Sequence, residues 1–159
     1  MAQETDLLAL RMIYNYEVEH TTATFDLTPK SLEERRNWLE AHNKGNHPLI
    51  VAEEEGQVVG YASLSPYRLL EAYKETVELS VYVDRYYRGR GIAKQLLQEI
   101  LSYARSSEEV HSVISVITSD NQVSIHLHEQ FGFCYCGTMK EVGKKFGRML
   151  DIVNYQLIV

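Results

Sequence analysis

The chain has 159 residues, a length that fits one domain, so residues 1–159 are predicted to form a single unit. Its 16 basic and 22 acidic residues give a net charge of −6. Nucleic-acid-binding domains usually carry a basic excess, so we expect no nucleic-acid partner. Apolar runs are only a few residues long, whereas a membrane span needs about 20, and the first residues lack the pattern of a secretion signal. We therefore predict a cytoplasmic protein with no membrane partner.

Two helices are predicted at the start of the chain. Thr5 or Asp6 can cap the first, and its apolar residues recur at helical spacing. Thr28-Pro29 and the pair Ser31 and Glu34, which has the spacing of a capping box, predict the start of a second helix. The apolar face of the first helix comprises Leu7, Leu10, Ile13 and Tyr14.

A hairpin and a strongly alternating strand follow. The runs 49–52 and 58–64 have strand character and are separated by Glu54-Glu55-Gly56, a hairpin signal. From Thr76 to Val83 the residues alternate with a period of two. This places Val77, Leu79, Val81 and Val83 on one face of the strand and Thr76, Glu78, Ser80 and Tyr82 on the other.

The second half of the chain predicts two more helices and three more strands. Apolar residues repeat every four positions from Ile92 to Ala104, which predicts a helix. A buried strand at 113–117 and a helix at 121–130 come next, and two strands at 133–139 and 149–159 flank a polar turn with Gly143 and Gly147. The order α-α-β-β-β-α-β-α-β-β predicts a mixed α/β fold.

The turn Arg88-Gly89-Arg90-Gly91-Ile92-Ala93 joins the alternating strand to the long helix. A helix start presents free N–H groups and the positive end of the helix dipole, and glycine lets a phosphate approach them closely. No Gly-Lys-Ser/Thr follows as in a Walker loop, and Lys94 stands where a dinucleotide fingerprint needs its third glycine. The turn is predicted to bind a pyrophosphate; the alternative is a glycine-containing turn whose arginines face solvent.

His126-x-His128 and Cys134-x-Cys136 suggest a zinc site at first sight. Residues two apart on a helix point about 200° away from each other, so the two histidines cannot share one metal. The cysteines lack the usual zinc spacing. We therefore predict no metal and two free thiols, as in a reducing compartment. The four histidines without a motif are expected at the surface: His20, His42, His47 and His111.

The pattern Arg88-x-x-Gly91-x-Ala93 after a strand resembles the acetyl-CoA motif of the GCN5-related N-acetyltransferases (GNAT). Further segments between Leu7 and Gln156 resemble, in order, the phosphinothricin acetyltransferase branch, which also acetylates methionine sulfone and sulfoximine. These segments are Ile13-Tyr14-Asn15, Ala23-Thr24-Phe25, Val51-Ala52-Glu53, Gly60-Tyr61-Ala62, Thr76-Val77-Glu78, Val81-Tyr82-Val83, Asn121, Ser124, Leu127-His128-Glu129 and Gly132-Phe133.

The resemblance implies a fold, a reaction and a cofactor site. The fold is a mostly antiparallel mixed sheet flanked by helices, in which a central strand pair splays and acetyl-CoA fills the gap. The chain would be a homodimeric N-acetyltransferase that acetylates a small amine, an amino acid or an analogue. Asn121 would lie beside the pantetheine arm, although it is equally a good helix N-cap. The implied acetyl-CoA-binding residues are Val81, Tyr82, Val83, Arg88, Gly89, Arg90, Gly91, Ile92, Ala93, Asn121 and Ser124.

The resemblance also implies two catalytic residues. Glu78 would act as general base, because the acceptor ammonium, with a pKa near ~8–10, must lose a proton before it attacks. The alternative for Glu78 is a salt-bridged carboxylate of the sheet. His128 occupies the position where many members have a tyrosine that protonates the departing thiolate, and its ordinary pKa near ~6.5 suits that task. The alternative for His128 is a partly buried histidine that packs against the sheet.

The acceptor side departs from the family pattern. The resemblance implies substrate-binding roles for Phe25, Arg68 and Thr118, but Leu70 replaces the second of two basic residues that grip the acceptor, which puts phosphinothricin in doubt. Only four residues precede the first helix cap, so the usual first strand is expected to be short, displaced or absent. Two other functions stay open: acetylation of a protein N-terminus or lysine, and acyl-CoA sensing without catalysis, which would require neither Glu78 nor His128.

Overall fold

A computed structural model describes all 159 residues. A six-stranded sheet has the order β1-β2-β3-β4-β6-β5 and is antiparallel except for the β3/β4 pair. The predicted mixed, mostly antiparallel fold is therefore confirmed. No helix is both long enough and apolar enough to cross a membrane. The elements are α1 (Leu7–His20), α2 (Leu32–Ala41), β1 (Leu49–Glu54), β2 (Gln57–Pro66), β3 (Thr76–Val83), α3 (Ile92–Ser106), β4 (Ser112–Thr118), α4 (Gln122–Gln130), β5 (Cys134–Lys145) and β6 (Arg148–Ile158).

The sheet separates two hydrophobic clusters, as the alternation along β3 predicts. On one face Val77 and Leu79 are buried against α3 in a cluster of 15 buried residues. On the other face Tyr82 packs against a smaller cluster formed with α1, which includes Leu10 and Tyr61. The polar side of β3 therefore faces α1 and α2, and any polar site on it lies between the sheet and these two helices.

The two central strands β3 and β4 diverge. They are paired only from Thr76 to Glu78, opposite Ser112 to Ile114. From Leu79 to Val83 the β3 edge that faces β4 has no partner strand, while its other edge stays paired with β2. Backbone N–H and C=O groups need hydrogen-bond partners, so this wedge offers an edge to which an extended ligand can pair. The predicted splayed strand pair is confirmed.

The last hairpin departs from the prediction. β5 extends through Gly143 to Lys145, and the turn that follows contains Phe146 and Gly147. The pairing register shifts twice along β5, between Tyr135 and Gly137 and again between Met139 and Gly143. Such bulges interrupt the period-two pattern from which a strand is predicted, which is why the prediction of Gly143 in the turn is wrong.

Two other local predictions are corrected. Asp6 stands at the N-cap position of α1, yet its carboxylate accepts a hydrogen bond from the Gln3 N–H (2.7 Å) and caps no N–H of the helix. His42 is buried rather than at the surface, with Nδ1 2.7 Å from the Trp38 carbonyl and Nε2 2.9 Å from the Ser65 hydroxyl. No strand precedes α1.

The capping box of α2 is confirmed. The Ser31 hydroxyl accepts a bond from the Glu34 N–H (3.1 Å), and the Glu34 carboxylate accepts one from the Ser31 N–H (2.7 Å). These bonds fix the start of the helix that carries Arg35 and Trp38. The capping box thereby helps to position both side chains over the polar face of β3.

Replacing Ser31 with Ala should lower the free energy of unfolding by about 1 kcal/mol, because an N–H of the first turn loses its partner. For a chain of this size the melting temperature should fall by about 2–4 °C. Differential scanning calorimetry measures the shift, and Ser102→Ala serves as the control on the exposed side of α3. An equal loss in both variants would contradict a role for the capping box.

Candidate active site

A cavity of about 810 Å³ lies where β3, the start of α3 and α4 meet. Ten of the eleven predicted acetyl-CoA-binding residues line it, which brings three separate segments of the sequence together. Arg90 is the exception, since its guanidinium donates to Glu54 (3.1 Å) on the solvent side. The ten residues are Val81, Tyr82, Val83, Arg88, Gly89, Gly91, Ile92, Ala93, Asn121 and Ser124.

The start of α3 has the features of an anion site. Gly91 occupies the N-cap position in the left-handed region (φ 81°), and no side chain caps the helix. At both Gly89 and Gly91 no other heavy atom lies within 4 Å of where a Cβ would stand. The first N–H groups of α3 therefore point into open space with the helix dipole behind them, which suits a pyrophosphate.

Arg88 is held in place by a residue that the sequence analysis missed. Its guanidinium forms an ion pair with Glu17 of α1, whose side chain is only 5% exposed. The Thr21 hydroxyl donates to the same carboxylate (2.7 Å). The available signal was the position of Glu17 on the buried face of α1, one turn after Ile13. Glu17 fixes the Arg88 side chain at the wall of the larger cavity.

The start of α4 forms another wall of the larger cavity. The Asn121 side chain accepts a bond from the Ser124 N–H (3.2 Å), so the N-cap alternative for Asn121 is confirmed, and the residue also lines the cavity.

His128, in contrast, is 2% exposed and lines neither cavity. Its Nδ1 donates to the Ser124 carbonyl (2.7 Å), and its ring meets Phe133 edge to face. Burial lowers the pKa of His128, so its ring is neutral at pH 7.

A second cavity of about 420 Å³ lies on the polar side of β3 and shares Tyr82 with the first. Glu78 and Ser80 line it from β3, in register with Ser65 and Ser63 of β2. Glu78 forms no ion pair and no side-chain hydrogen bond, so the salt-bridge alternative is not what the structure shows. Burial raises the pKa of Glu78.

The other charged groups of the smaller cavity are mostly paired. Lys30 forms an ion pair with Asp26 (3.2 Å), and the same carboxylate accepts the Tyr14 hydroxyl. Burial, aided by the bond to Asp26, raises the pKa of Tyr14 to about 12. Glu34 is engaged in the capping box. Glu78 and Arg35 are therefore the two charged groups of this cavity that have neither an ion pair nor a capping hydrogen bond.

The three predicted acceptor-binding residues lie outside the lining of both cavities. Phe25 packs on Gly143, where it leaves no room for a Cβ. The Thr118 hydroxyl donates to the Thr22 carbonyl. Arg68 is exposed and stacks on the rings of Tyr67 and Tyr73. The structure brings none of them beside Glu78, although the neighbouring segment 22–24 lines the two cavities.

His126 and His128 point to different sides of α4, and the two cysteines are free and exposed. No three side chains of His, Cys, Asp or Glu are grouped so that they could hold a metal ion.

Comparison with known proteins decides the family. The sequence model of the acetyltransferase (GNAT) family matches residues 10–133. An L-methionine sulfoximine/L-methionine sulfone acetyltransferase of Pseudomonas paraeruginosa is 42% identical over 96% of this chain and 88% of its own. The L-amino acid N-acyltransferase MnaT of Escherichia coli is 38% identical over 98% of this chain and 90% of its own. The chain belongs to the GNAT family.

Solved GNAT structures share the whole fold. A crystal structure of a ribosomal-protein-alanine N-acetyltransferase from Brucella melitensis superposes with a TM-score of 0.96, at 49% identity over 99% of this chain and 97% of that one. An acetyltransferase from Salmonella typhimurium, solved with its cofactor acetyl-CoA, has a TM-score of 0.95 at 38% identity over 99% of this chain and 90% of that one. The expected acetyl-CoA-dependent acetyltransferase is confirmed at the level of the family.

Proposed function

We propose that this GNAT protein transfers the acetyl group of acetyl-CoA to the amine of a small amino acid or amino-acid analogue. The observation that carries the proposal is the pair of cavities that meet at Tyr82, with an unpaired carboxylate, Glu78, in the smaller one. The names of the methionine sulfone acetyltransferase and of MnaT support this class of acceptor. We further propose that residues 1–159 act as one cytoplasmic domain and that the active form is a homodimer.

The larger cavity fits acetyl-CoA. The unpaired edge of β3 between Leu79 and Val83 offers backbone groups to an extended pantetheine arm. The free N–H groups at the start of α3 would hold the pyrophosphate, with Arg88 beside them. When bound, acetyl-CoA supplies a thioester carbonyl that a neutral amine can attack.

Glu78 is proposed to make the amine neutral. It lies on the polar face of β3 and lines the smaller cavity, where it can accept a proton from the acceptor ammonium directly or through a water molecule. Burial raises the pKa of Glu78, which brings its basicity closer to that of the ammonium group and favours proton transfer. No cation neutralises this carboxylate, so it is free for the task.

For His128 the contacts support the packing alternative. The ring is buried, its Nδ1 is committed to the Ser124 carbonyl, and it lines neither cavity. Its position one turn after Ser124 allows it to hold the first turn of α4 against Phe133. A direct role as acid toward the thiolate stays a prediction of the resemblance.

Replacing His128 with Ala should therefore cost stability more than catalysis. Loss of the buried ring and its hydrogen bond should lower the free energy of unfolding by about 2–3 kcal/mol. Thermal unfolding measures this loss, and kcat per folded molecule should change by less than tenfold. A fall in kcat of about 10² or more in a folded variant would instead support His128 as the acid. His111→Ala, at an exposed histidine outside both cavities, tests whether the effect is specific to the buried ring.

A second candidate is acetylation of a protein N-terminus. The structural relative named ribosomal-protein-alanine N-acetyltransferase, at 49% identity, favours it. A protein N-terminus presents an amine whose neighbouring carbonyl is an amide, whereas a free amino acid presents a carboxylate there. The charge of that neighbouring group therefore separates the two functions.

Release of the CoA thiol from acetyl-CoA, followed with a thiol reagent, tests the proposal. The acceptors are the free amino acids, methionine sulfone, methionine sulfoximine, phosphinothricin, polyamines and short peptides that begin with Ala. We expect turnover with at least one free amino acid or analogue. Turnover with peptides alone would replace the proposal by the second candidate. Binding of acetyl-CoA without turnover on any acceptor would favour a non-catalytic acyl-CoA sensor.

A further inference from the structure

Arg35 is a buried arginine on the wall of the acceptor cavity. It lies on α2 and is only 5% exposed. Its guanidinium carbon lies 3.6 Å from the ring centroid of Trp38 and 4.7 Å from that of Tyr14. These aromatic contacts fix the planar group in one orientation. Because both rings also line the smaller cavity, the guanidinium belongs to its wall and not to a separate core.

The guanidinium of Arg35 has almost no hydrogen-bond partner within the protein. Its Nε is buried and makes no bond, and one terminal nitrogen donates to the Tyr61 hydroxyl over a long 3.4 Å. Arg35 takes part in none of the ion pairs of the structure. Burial raises the pKa of Tyr61 and of Tyr82, so these phenols are neutral at pH 7 and do not compensate the charge.

A buried and unpaired positive charge is costly unless something balances it. Two of the three carboxylates that line the cavity are already engaged: Asp26 with Lys30, and Glu34 with the Ser31 N–H. Glu78 is the single unpaired negative group of the cavity. The cavity thus presents one free positive group, Arg35, and one free negative group, Glu78, which is the arrangement that a zwitterionic amino acid complements.

We propose that Arg35 binds the α-carboxylate of the acceptor amino acid, while its amine faces Glu78. The inference rests on the proposed function and adds a specificity-determining residue to it. A guanidinium binds a carboxylate through two parallel N–H···O bonds, which are stronger inside a protein than at its surface. An acceptor without the carboxylate would leave Arg35 buried and unpaired, and the site would reject it.

Arg68, the anchor implied by the family resemblance, is less suited to this role in the structure. It is exposed, and its guanidinium carbon lies 5.1 Å from the Tyr67 ring and 5.6 Å from the Tyr73 ring. It lines neither cavity. The two arginines therefore give opposite expectations for the same experiment.

The test compares an amino acid with its primary amide in four proteins. The substrate pair is L-methionine sulfone and its α-carboxamide, or the best free amino acid of the acceptor screen and its amide. The proteins are the wild type, Arg35→Met, Arg68→Met and, as matched control, Arg36→Met. Arg36 is the next residue of α2, but its side chain is 43% exposed and paired with Glu4 (2.9 Å). The value of kcat/KM is measured for each substrate at saturating acetyl-CoA.

Wild type and Arg36→Met should prefer the acid over the amide by about 10- to 100-fold. In Arg35→Met the preference should fall below about threefold, because kcat/KM should fall for the acid and change little for the amide. If Arg35 had only a structural role, its replacement would lower kcat/KM for both substrates alike and leave the ratio of the two values unchanged. Arg35→Lys keeps the charge but loses the planar fork, so it should retain part of the preference. This variant replaces Arg35→Met in the test if the methionine variant is too unstable to assay.

Two results would overturn the inference while the proposed function stands: an unchanged preference in folded Arg35→Met, or a collapse of the preference in Arg68→Met instead. A wild type that prefers the amide would also overturn it and would favour the protein N-terminus as acceptor. Absence of turnover with every free amino acid tested would mean that the proposed function itself has failed.

Discussion

Replacing Glu78 with Gln should lower kcat for amine acetylation by about 10²–10⁴-fold, which is the usual contribution of a general base. The amide keeps the shape of the side chain and removes its basicity. Affinity for acetyl-CoA should stay nearly unchanged, because Glu78 lines only the smaller cavity. Steady-state kinetics with varied acceptor, together with calorimetric titration of acetyl-CoA, separates the two quantities.

The pH dependence gives a second measurement on the same variant. Burial raises the pKa of Glu78, and a base works only in its deprotonated form. Wild-type activity should therefore be lost as pH falls through this raised pKa, at a pH above that of an ordinary glutamate. In Glu78→Gln this loss of activity at low pH should disappear. The activity of the variant should recover in part as pH approaches the pKa of the acceptor amine.

The change of activity with pH that the acceptor amine causes, called the amine step, must be distinguished from the change that Glu78 causes, called the Glu78 step. Two acceptors of different amine pKa serve this purpose, because the amine step moves with the acceptor and the Glu78 step does not. Glu75→Gln is the control, since Glu75 is exposed, three residues earlier, and outside both cavities. Identical pH profiles for wild type and Glu78→Gln would contradict the role of Glu78 as general base and indicate a structural role.

The parts of the site that follow from local patterns could be predicted from the sequence. Alternation along β3 places Glu78 and Tyr82 on one face, and the structure has both in the wall of the smaller cavity. The glycine-rich turn before the amphipathic helix predicts an anion site, and α3 begins there at Ile92. Each of these features depends on residues close together in the chain, so periodicity and turn chemistry suffice.

The parts that depend on distant segments could not be predicted. Arg35 and Arg36 are adjacent on a charged helix, and nothing local distinguishes the buried arginine from the half-buried one. The difference arises because rings from α1 and β2, Tyr14 and Tyr61, close over Arg35. The ion pair between Arg88 and Glu17 likewise joins residues 71 positions apart.

Gly91→Val should weaken acetyl-CoA binding by about 10- to 100-fold, the equivalent of one lost hydrogen bond to a charged group. Gly91 has a φ of 81° and nothing within 4 Å of where its Cβ would stand, so an added side chain would occupy the space that the pyrophosphate needs. Calorimetric titration measures the affinity. The substitution also strains the backbone, because a β-branched residue disfavours positive φ.

Gly56→Val is a matched control for that strain. Gly56 has nearly the same φ, 78°, and the same open surroundings, but it lies in the β1–β2 hairpin and lines neither cavity. Both variants should lose about 1–2 kcal/mol of stability, which thermal unfolding measures, and only Gly91→Val should lose acetyl-CoA affinity. If the two variants bind acetyl-CoA equally well, the pyrophosphate does not lie at the start of α3 and the assignment of that turn fails.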